Sequence, residues 1–232
     1  MNIDIIRKLY RVKDIENIQS KLNMLGNDRK LKFDATGFLT ARLLTSIILT
    51  IVLIFLTNVQ NYIIPFVVIL YYNLFYYVFI TDPINKRIKK LDLEALTFFE
   101  ILTLTLESGR NLENALEMTV NNVDNELSKE FKRSLTEMKF GRSLMESLED
   151  LKKRMPSETI NNILLNITQT NIFGNSIIET MNNQVEYLRE KQMMEVKAQI
   201  NKIPNKVSII SVIFIIPLIL LIILGPFIIE LL

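Results

Sequence analysis

The sequence predicts an all-α integral membrane protein, with three transmembrane helices and a cytoplasmic six-helix bundle made of three helical hairpins. Three observations lead there. Three long runs, residues 39–58, 62–80 and 207–229, are almost free of charge. Every lysine and arginine falls on one side of those runs. Between the second and third runs, one helix-start signature occurs three times, beginning at Gly109, Gly141 and Gly174.

The first run, 39–58, contains only Arg42, close enough to one end for its long side chain to snorkel toward the headgroups. The second and third runs contain no charge. A charge at the bilayer centre costs roughly 2.5–3.5 kcal/mol on insertion scales, so charge-free runs of this length in a chain that is 22% charged mark membrane spans. The hydrophobic content of 49% and a mean hydropathy of +0.25 exceed what one soluble domain of 232 residues needs. The first run also starts too far from Met1, behind a charged leader, for an ordinary cleavable signal peptide.

Orientation follows from the basic residues. Residues 1–38 hold eight of the 27, Arg42 is one more, and residues 82–206 hold the remaining 18. Lys86, Arg87, Lys89 and Lys90 directly follow the second run, and Lys197, Lys202 and Lys206 precede the third. By the positive-inside rule the amphipathic segment 1–38 and residues 82–206 are cytoplasmic, while the linker near Gln60 and the C-terminus lie outside. The membrane is expected to be the inner, or cell, membrane. Tyr71, Tyr72, Tyr76 and Tyr77 then fall toward the cytoplasmic interface. Within the runs, Pro65 and Pro217 read as kinks, and Asn73 reads as an interhelical hydrogen bond.

Each repeated signature has a physical basis. Gly109, Gly141 and Gly174 can each end a helix in the left-handed conformation without a Cβ penalty. Asn111, Ser143 and Ser176 are N-cap residues, each worth about 1 kcal/mol. Ser143 with Glu146, and Ser176 with Glu179, have the spacing of a capping box, whereas Asn114 takes the glutamate's place in the first copy. The pairs Leu112/Leu116, Leu144/Leu148 and Ile177/Met181 start the buried stripes. Six helices are expected, at 92–107, 111–122, 125–139, 143–155, 158–172 and 176–203. The first is apolar nearly all round and belongs at the bundle centre. The last runs on toward the third span, with a bend at Pro204.

Composition excludes several kinds of chemistry. The chain has no cysteine and no histidine, so thiol nucleophiles, disulfides and zinc sites are ruled out. A net charge of +2 gives no basis for nucleic-acid binding. No Gly-rich run is followed by Lys and Ser/Thr, so no phosphate loop is present. No catalytic, cofactor-binding or metal residues are expected. Enzyme chemistry would have to use carboxylates on shared helix faces, such as Glu100 with Glu107 or Glu146 with Asp150. A membrane-anchored helical sensor or adaptor is a further alternative.

With these residues in place, the chain resembles the type II secretion F domain found in inner-membrane platform proteins of pilus and secretion machines. The residues carrying the resemblance are Leu106, Glu107, Ser108 and Gly109 with Leu112 and Ala115, then Gly141, Ser143, Leu144 and Leu148, and Gly174 before the long charged helix. Lys202 to Lys206, the apolar run with Pro217, and Gly225-Pro226 are similar to the carboxy end of the TadC branch, from tight adherence (Tad/Flp) pilus machines. Lys21 to Gly26 is similar to the lead-in of that group. Arg110 and Asn111 depart from the small or apolar residues often found there.

The resemblance implies a non-enzymatic platform subunit without cofactors. Such a subunit pairs with a second F-domain protein or with itself, meets a cytoplasmic assembly ATPase, and handles pilin, with membrane lipid around it. Glu107, Arg110, Arg142, Lys152, Lys153 and Arg154 are the candidate partner contacts, beside the helix-turn residues Gly109, Asn111, Gly141, Ser143, Glu146, Gly174, Ser176 and Glu179.

Overall fold

The computed structural model describes residues 10–26, 34–56, 64–173 and 176–231. The described residues form nine α-helices and no strand: α1 (Val12–Asn23), α2 (Ala35–Leu56), α3 (Ile64–Tyr76), α4 (Asp82–Glu107), α5 (Leu112–Asn122), α6 (Glu126–Lys139), α7 (Leu144–Arg154), α8 (Glu158–Phe173) and α9 (Ile177–Leu231). The chain divides into two compact units, Met1–Gln184 and Val185–Leu232.

In the first unit, α2 and α3 pack against each other, and α1 packs on α2. The apolar face of α1 carries Ile15, Ile18, Leu22 and Leu25, and it closes a small core with Ala35, Phe38, Phe75, Ile80 and Ile84. Stretches of α2 and of the helical segment Ile64–Glu107 are long and apolar enough to cross a membrane, with mean hydropathies of 2.3 and 1.7. Only 17% and 6% of these stretches is buried, so they are not core helices shielded by protein. Phe55, Leu56 and Phe66 are among the large apolar side chains left uncovered.

Between α3 and α4 the helix widens into a π turn, Tyr77–Thr81, and continues as α4. The sequence reading started this helix at residue 92; the structure starts it ten residues earlier. Pro83 explains the π turn. Its ring lacks an N–H and clashes with the carbonyl four residues back, Phe79, so the wider turn absorbs the missing bond. Pro65 does not kink α3. It is the second residue of that helix, where the missing N–H has no intrahelical partner to lose.

The helices after the π turn assemble around α4, which packs on α5, α6 and α8. Leu91, Ala95, Phe98, Phe99, Leu102 and Leu106 of α4 are buried. Phe98 stacks on Phe131 of α6 with ring centroids 4.5 Å apart, and Phe99 meets both rings edge-on. Such aromatic pairs add to the area they bury. Leu127, Phe131 and Leu135 of α6, and Leu148, Leu151 and Met155 around α7, complete the stripes that the sequence spacing predicts. One face of α4 stays open, with Leu93 and Leu104 exposed. The central position of α4 therefore coexists with an uncovered edge.

The second unit consists of α9 from Val185 onward. The backbone stays α-helical through Pro204, Pro217 and Pro226. Among the described residues, Ile210–Leu220 is a shorter apolar stretch of this helix.

Candidate functional site

Two of the three turns predicted from glycine lie within the described residues, and both fall where expected. Gly109 and Gly141 have φ of 86° and 94°, left-handed values that glycine alone adopts without strain. Their N–H groups donate to the carbonyls of Leu106 and Met138, each at 2.9 Å. The Asn111 side chain accepts from the Asn114 N–H at 2.9 Å. Ser143 and Glu146 form a complete capping box: Ser143 Oγ accepts from the Glu146 N–H at 3.2 Å, and the Glu146 carboxylate accepts from the Ser143 N–H at 3.0 Å. Ser176 Oγ accepts from the Glu179 N–H at 3.3 Å. Gly174 lies outside the described residues.

The turn between α6 and α7 and the adjoining face of α7 bring three of the six predicted contact residues together, Arg142, Lys152 and Lys153. A shallow, open depression there is lined by Arg142, Met145, Glu146, Glu149, Asp150 and Lys153. Arg142 Nη1 donates to Asp150 at 2.6 Å, Lys153 Nζ donates to the same carboxylate at 2.9 Å, and Lys152 Nζ reaches Glu149 at 3.2 Å. Phe140, 85% exposed, stands beside Gly141 at the tip. A large aromatic ring left bare next to a ladder of ion pairs is a surface suited to contact.

The electrostatics at this face do not favour a general acid. The bond from the Ser143 backbone holds Glu146 below the usual carboxylate range, and Lys153 does the same for Asp150. Both stay ionised near neutral pH, whereas a general acid needs a raised value. Glu107 accepts from Asn182 Nδ2 at 3.1 Å at the start of α9, and Arg110 is exposed at the neighbouring turn. Glu107 and Arg110 therefore sit at a different turn from Arg142.

Arg154 is turned inward. Its guanidinium donates to Ser134 Oγ at 3.0 Å and to Glu137 at 3.2 Å on α6, and its side chain is 15% exposed.

Sequence reasoning missed a buried hub at Arg87, which it counted only as one basic flank residue. Nε and Nη2 donate to Glu126 and Glu130 of α6, each at 2.5 Å. Nη1 donates to the carbonyl of Met24 at 2.6 Å and to that of Arg154 at 3.3 Å. One side chain thereby ties α4 to α6 and to the C-terminal ends of α1 and α7. Gly26, φ 79°, makes room for it: a Cβ there would lie 2.9 Å from Arg87 Cζ. Burial pushes the Glu126 carboxyl up, but bonds from Arg87 and Lys90 outweigh it and leave the group below its ordinary value. The signal available in the sequence was Glu126 and Glu130, four residues apart on one helix face that also carries buried leucine and phenylalanine.

Two polar side chains in the spans have partners that the sequence did not reveal. Arg42 is buried, and its Nε and Nη2 donate to the Tyr72 carbonyl of α3 at 3.1 and 2.8 Å. Asn73 bonds the Ile69 carbonyl of its own helix at 2.9 Å rather than a neighbouring helix. The α3 carbonyls offer both side chains a closer acceptor than the partners the sequence suggested.

The described residues are all helical or in turns, with long apolar stretches in α2 and in Ile64–Glu107 and a charged turn with an exposed aromatic ring between α6 and α7. The sequence model described as "Type II secretion system (T2SS), protein F" matches residues 98–225, more than half of the chain. The chain belongs to this family of secretion and pilus platform proteins, which are not known as enzymes. Comparisons with curated proteins and with solved structures yield no match.

Proposed function

We propose that the chain is a TadC-like platform subunit of a tight adherence pilus or type II secretion-like machine, coupling a cytoplasmic assembly ATPase to pilin extraction. The observation that carries this reading is the family match over residues 98–225, which runs from the C-terminal part of α4 through most of α9. The two apolar helical stretches ahead of it support anchorage in the membrane. On this reading the chain crosses the inner membrane three times, at 39–58, 62–80 and 207–229. The N-terminal segment 1–38 and residues 82–206 are cytoplasmic, the latter as three hairpins, and the C-terminus is outside. The chain works by contact, without a cofactor, and pairs with a second F-domain protein or with itself. The α6–α7 turn, with Phe140, Arg142 and Lys153, is the face offered to the ATPase.

Affinity purification of the full chain from membranes, under conditions that preserve the complex, tests this. The assembly ATPase and a second F-domain protein are expected in the eluate. Absence of both, with the chain itself intact and membrane-integral, removes the platform reading in favour of an adaptor for another partner.

A further inference from the structure

Among the described residues two arginines are more than nine-tenths buried, and only one has an acid beside it. Arg87, in the cytoplasmic helices, is neutralised by Glu126 and Glu130. Arg42, on α2, makes no ion pair with any described residue. Two of its five N–H donors share the single Tyr72 carbonyl, and its guanidinium carbon lies 3.3 Å from the centre of the Tyr72 ring and 5.4 Å from that of Tyr76. A ring face and one carbonyl compensate part of the cost of burying a cation, but they supply no counter-charge.

A second cation, half-buried, stands nearby. Lys21 of α1 donates to the Tyr76 hydroxyl at 2.8 Å, lies 5.4 Å from that ring's centre, and makes no ion pair among the described residues. The Tyr10 and Tyr72 hydroxyls meet at 2.6 Å on the same side. Two cations and three phenols thus gather at one end of the apolar hairpin with no described carboxylate between them.

The depth of this cluster identifies what can neutralise it. Directly after Tyr10 the chain exposes Arg11, Lys13, Asp14 and Glu16, so this level borders water. Directly after Arg42, α2 has no further charge and exposes Leu44, Ile47 and Ile48. The cluster therefore sits where charged surface gives way to apolar surface. A phospholipid presents a phosphate at that boundary and acyl chains on its apolar side. The planar guanidinium fork matches phosphate oxygens, and an ammonium and phenols are further donors. We propose that Arg42, assisted by Lys21 and Tyr10, holds the phosphate of an inner-leaflet phospholipid against α2 and α3. The proposal rests on the membrane reading above, and it adds a specific lipid site that the family assignment does not supply.

The test is native mass spectrometry of the full chain in neutral detergent, titrated with phosphatidylglycerol, with diacylglycerol of the same chains, or with inorganic phosphate. The wild type is expected to retain phosphatidylglycerol and not diacylglycerol. Arg42→Gln should weaken retention about tenfold, the factor corresponding to loss of one charge-assisted contact. Lys86→Gln, an exposed lysine on the same flank, should change nothing. If Arg42→Gln does not fold, Lys21→Gln must weaken retention and Arg42→Lys must restore part of it. Wild-type retention in Arg42→Gln or in Lys21→Gln, equal retention of diacylglycerol, or a preference for free phosphate over the lipid would each overturn the proposal. Release of the chain from membranes by alkaline carbonate would instead sink the membrane reading itself, so the two failures are distinguishable.

Discussion

Replacing Arg87 by leucine keeps the volume roughly constant and removes the charge that two glutamates face. Side-chain exposures of 5% for Arg87, 17% for Glu126 and 10% for Glu130 place all three largely out of water. Breaking a buried pair by deleting one member costs about 3–5 kcal/mol, because the remaining charge is stranded. Here the lower end applies. Glu126 keeps Lys90 at 3.1 Å, while Glu130 keeps only Arg154 at 3.8 Å, with no hydrogen bond to its Oε2. The variant should lose about 3 kcal/mol, a fall in Tm of roughly 6–12 °C at about 2–4 °C per kcal/mol. Thermal unfolding of the full chain in detergent reads this directly. Adding Glu126→Gln and Glu130→Gln to Arg87→Leu should recover about half of the loss, since the three side chains act as one network. A loss below about 1 kcal/mol, the range of exposed ion pairs, would refute the reasoning, as would a triple variant less stable than the single one.

Three further outcomes follow from the same geometry. Gly141→Val should destabilise the chain by more than about 1 kcal/mol through its left-handed φ alone, because no atom lies within 4 Å of the added Cβ; unchanged Tm in detergent would contradict this. Gly26→Ala should cost more than Gly141→Ala in the same assay, since its Cβ would also displace the Arg87 guanidinium, 2.9 Å away. The lowered pKa of Glu126 contributes stability that is present above the ordinary carboxylate value of 4.5 and is lost as pH falls through the folded-state value. The Tm difference between wild type and Glu126→Gln should accordingly be largest near neutrality and shrink in acid; a difference independent of pH would contradict the assignment.

The helices were legible because their boundaries rest on local chemistry. Asn111 and Ser143 announce caps, and Gly109 and Gly141 announce left-handed stops, in rules that need only the neighbouring residues. The apolar stripes of α6 and α7 were legible for the same reason, since a 3.6-residue period is a property of one helix. What the sequence hid depends on long-range geometry. Arg87 meets Met24 63 residues away and Glu130 43 residues away, and no spacing rule connects them. Ser157 is similar: it falls in the gap between the expected helices 143–155 and 158–172, yet it is buried, caps α8 by accepting from the Ile160 N–H at 3.2 Å, and bonds Asp92 of α4. The burial of Arg42 was hidden likewise, because its carbonyl partner belongs to another helix. Ser128, which sequence polarity would place at the surface, is buried and bonds the Val120 carbonyl at 3.1 Å.

The most direct test of the proposed function, in which the chain acts by contact through helices α4–α8, is photocrosslinking in intact cells from position 145. Met145 lines the depression beside Arg142 and Lys153, so a photoreactive residue there should capture the assembly ATPase, while one at Phe55 on the apolar stretch of α2 should not. Capture of the ATPase from neither position, or from Phe55 alone, would contradict the account.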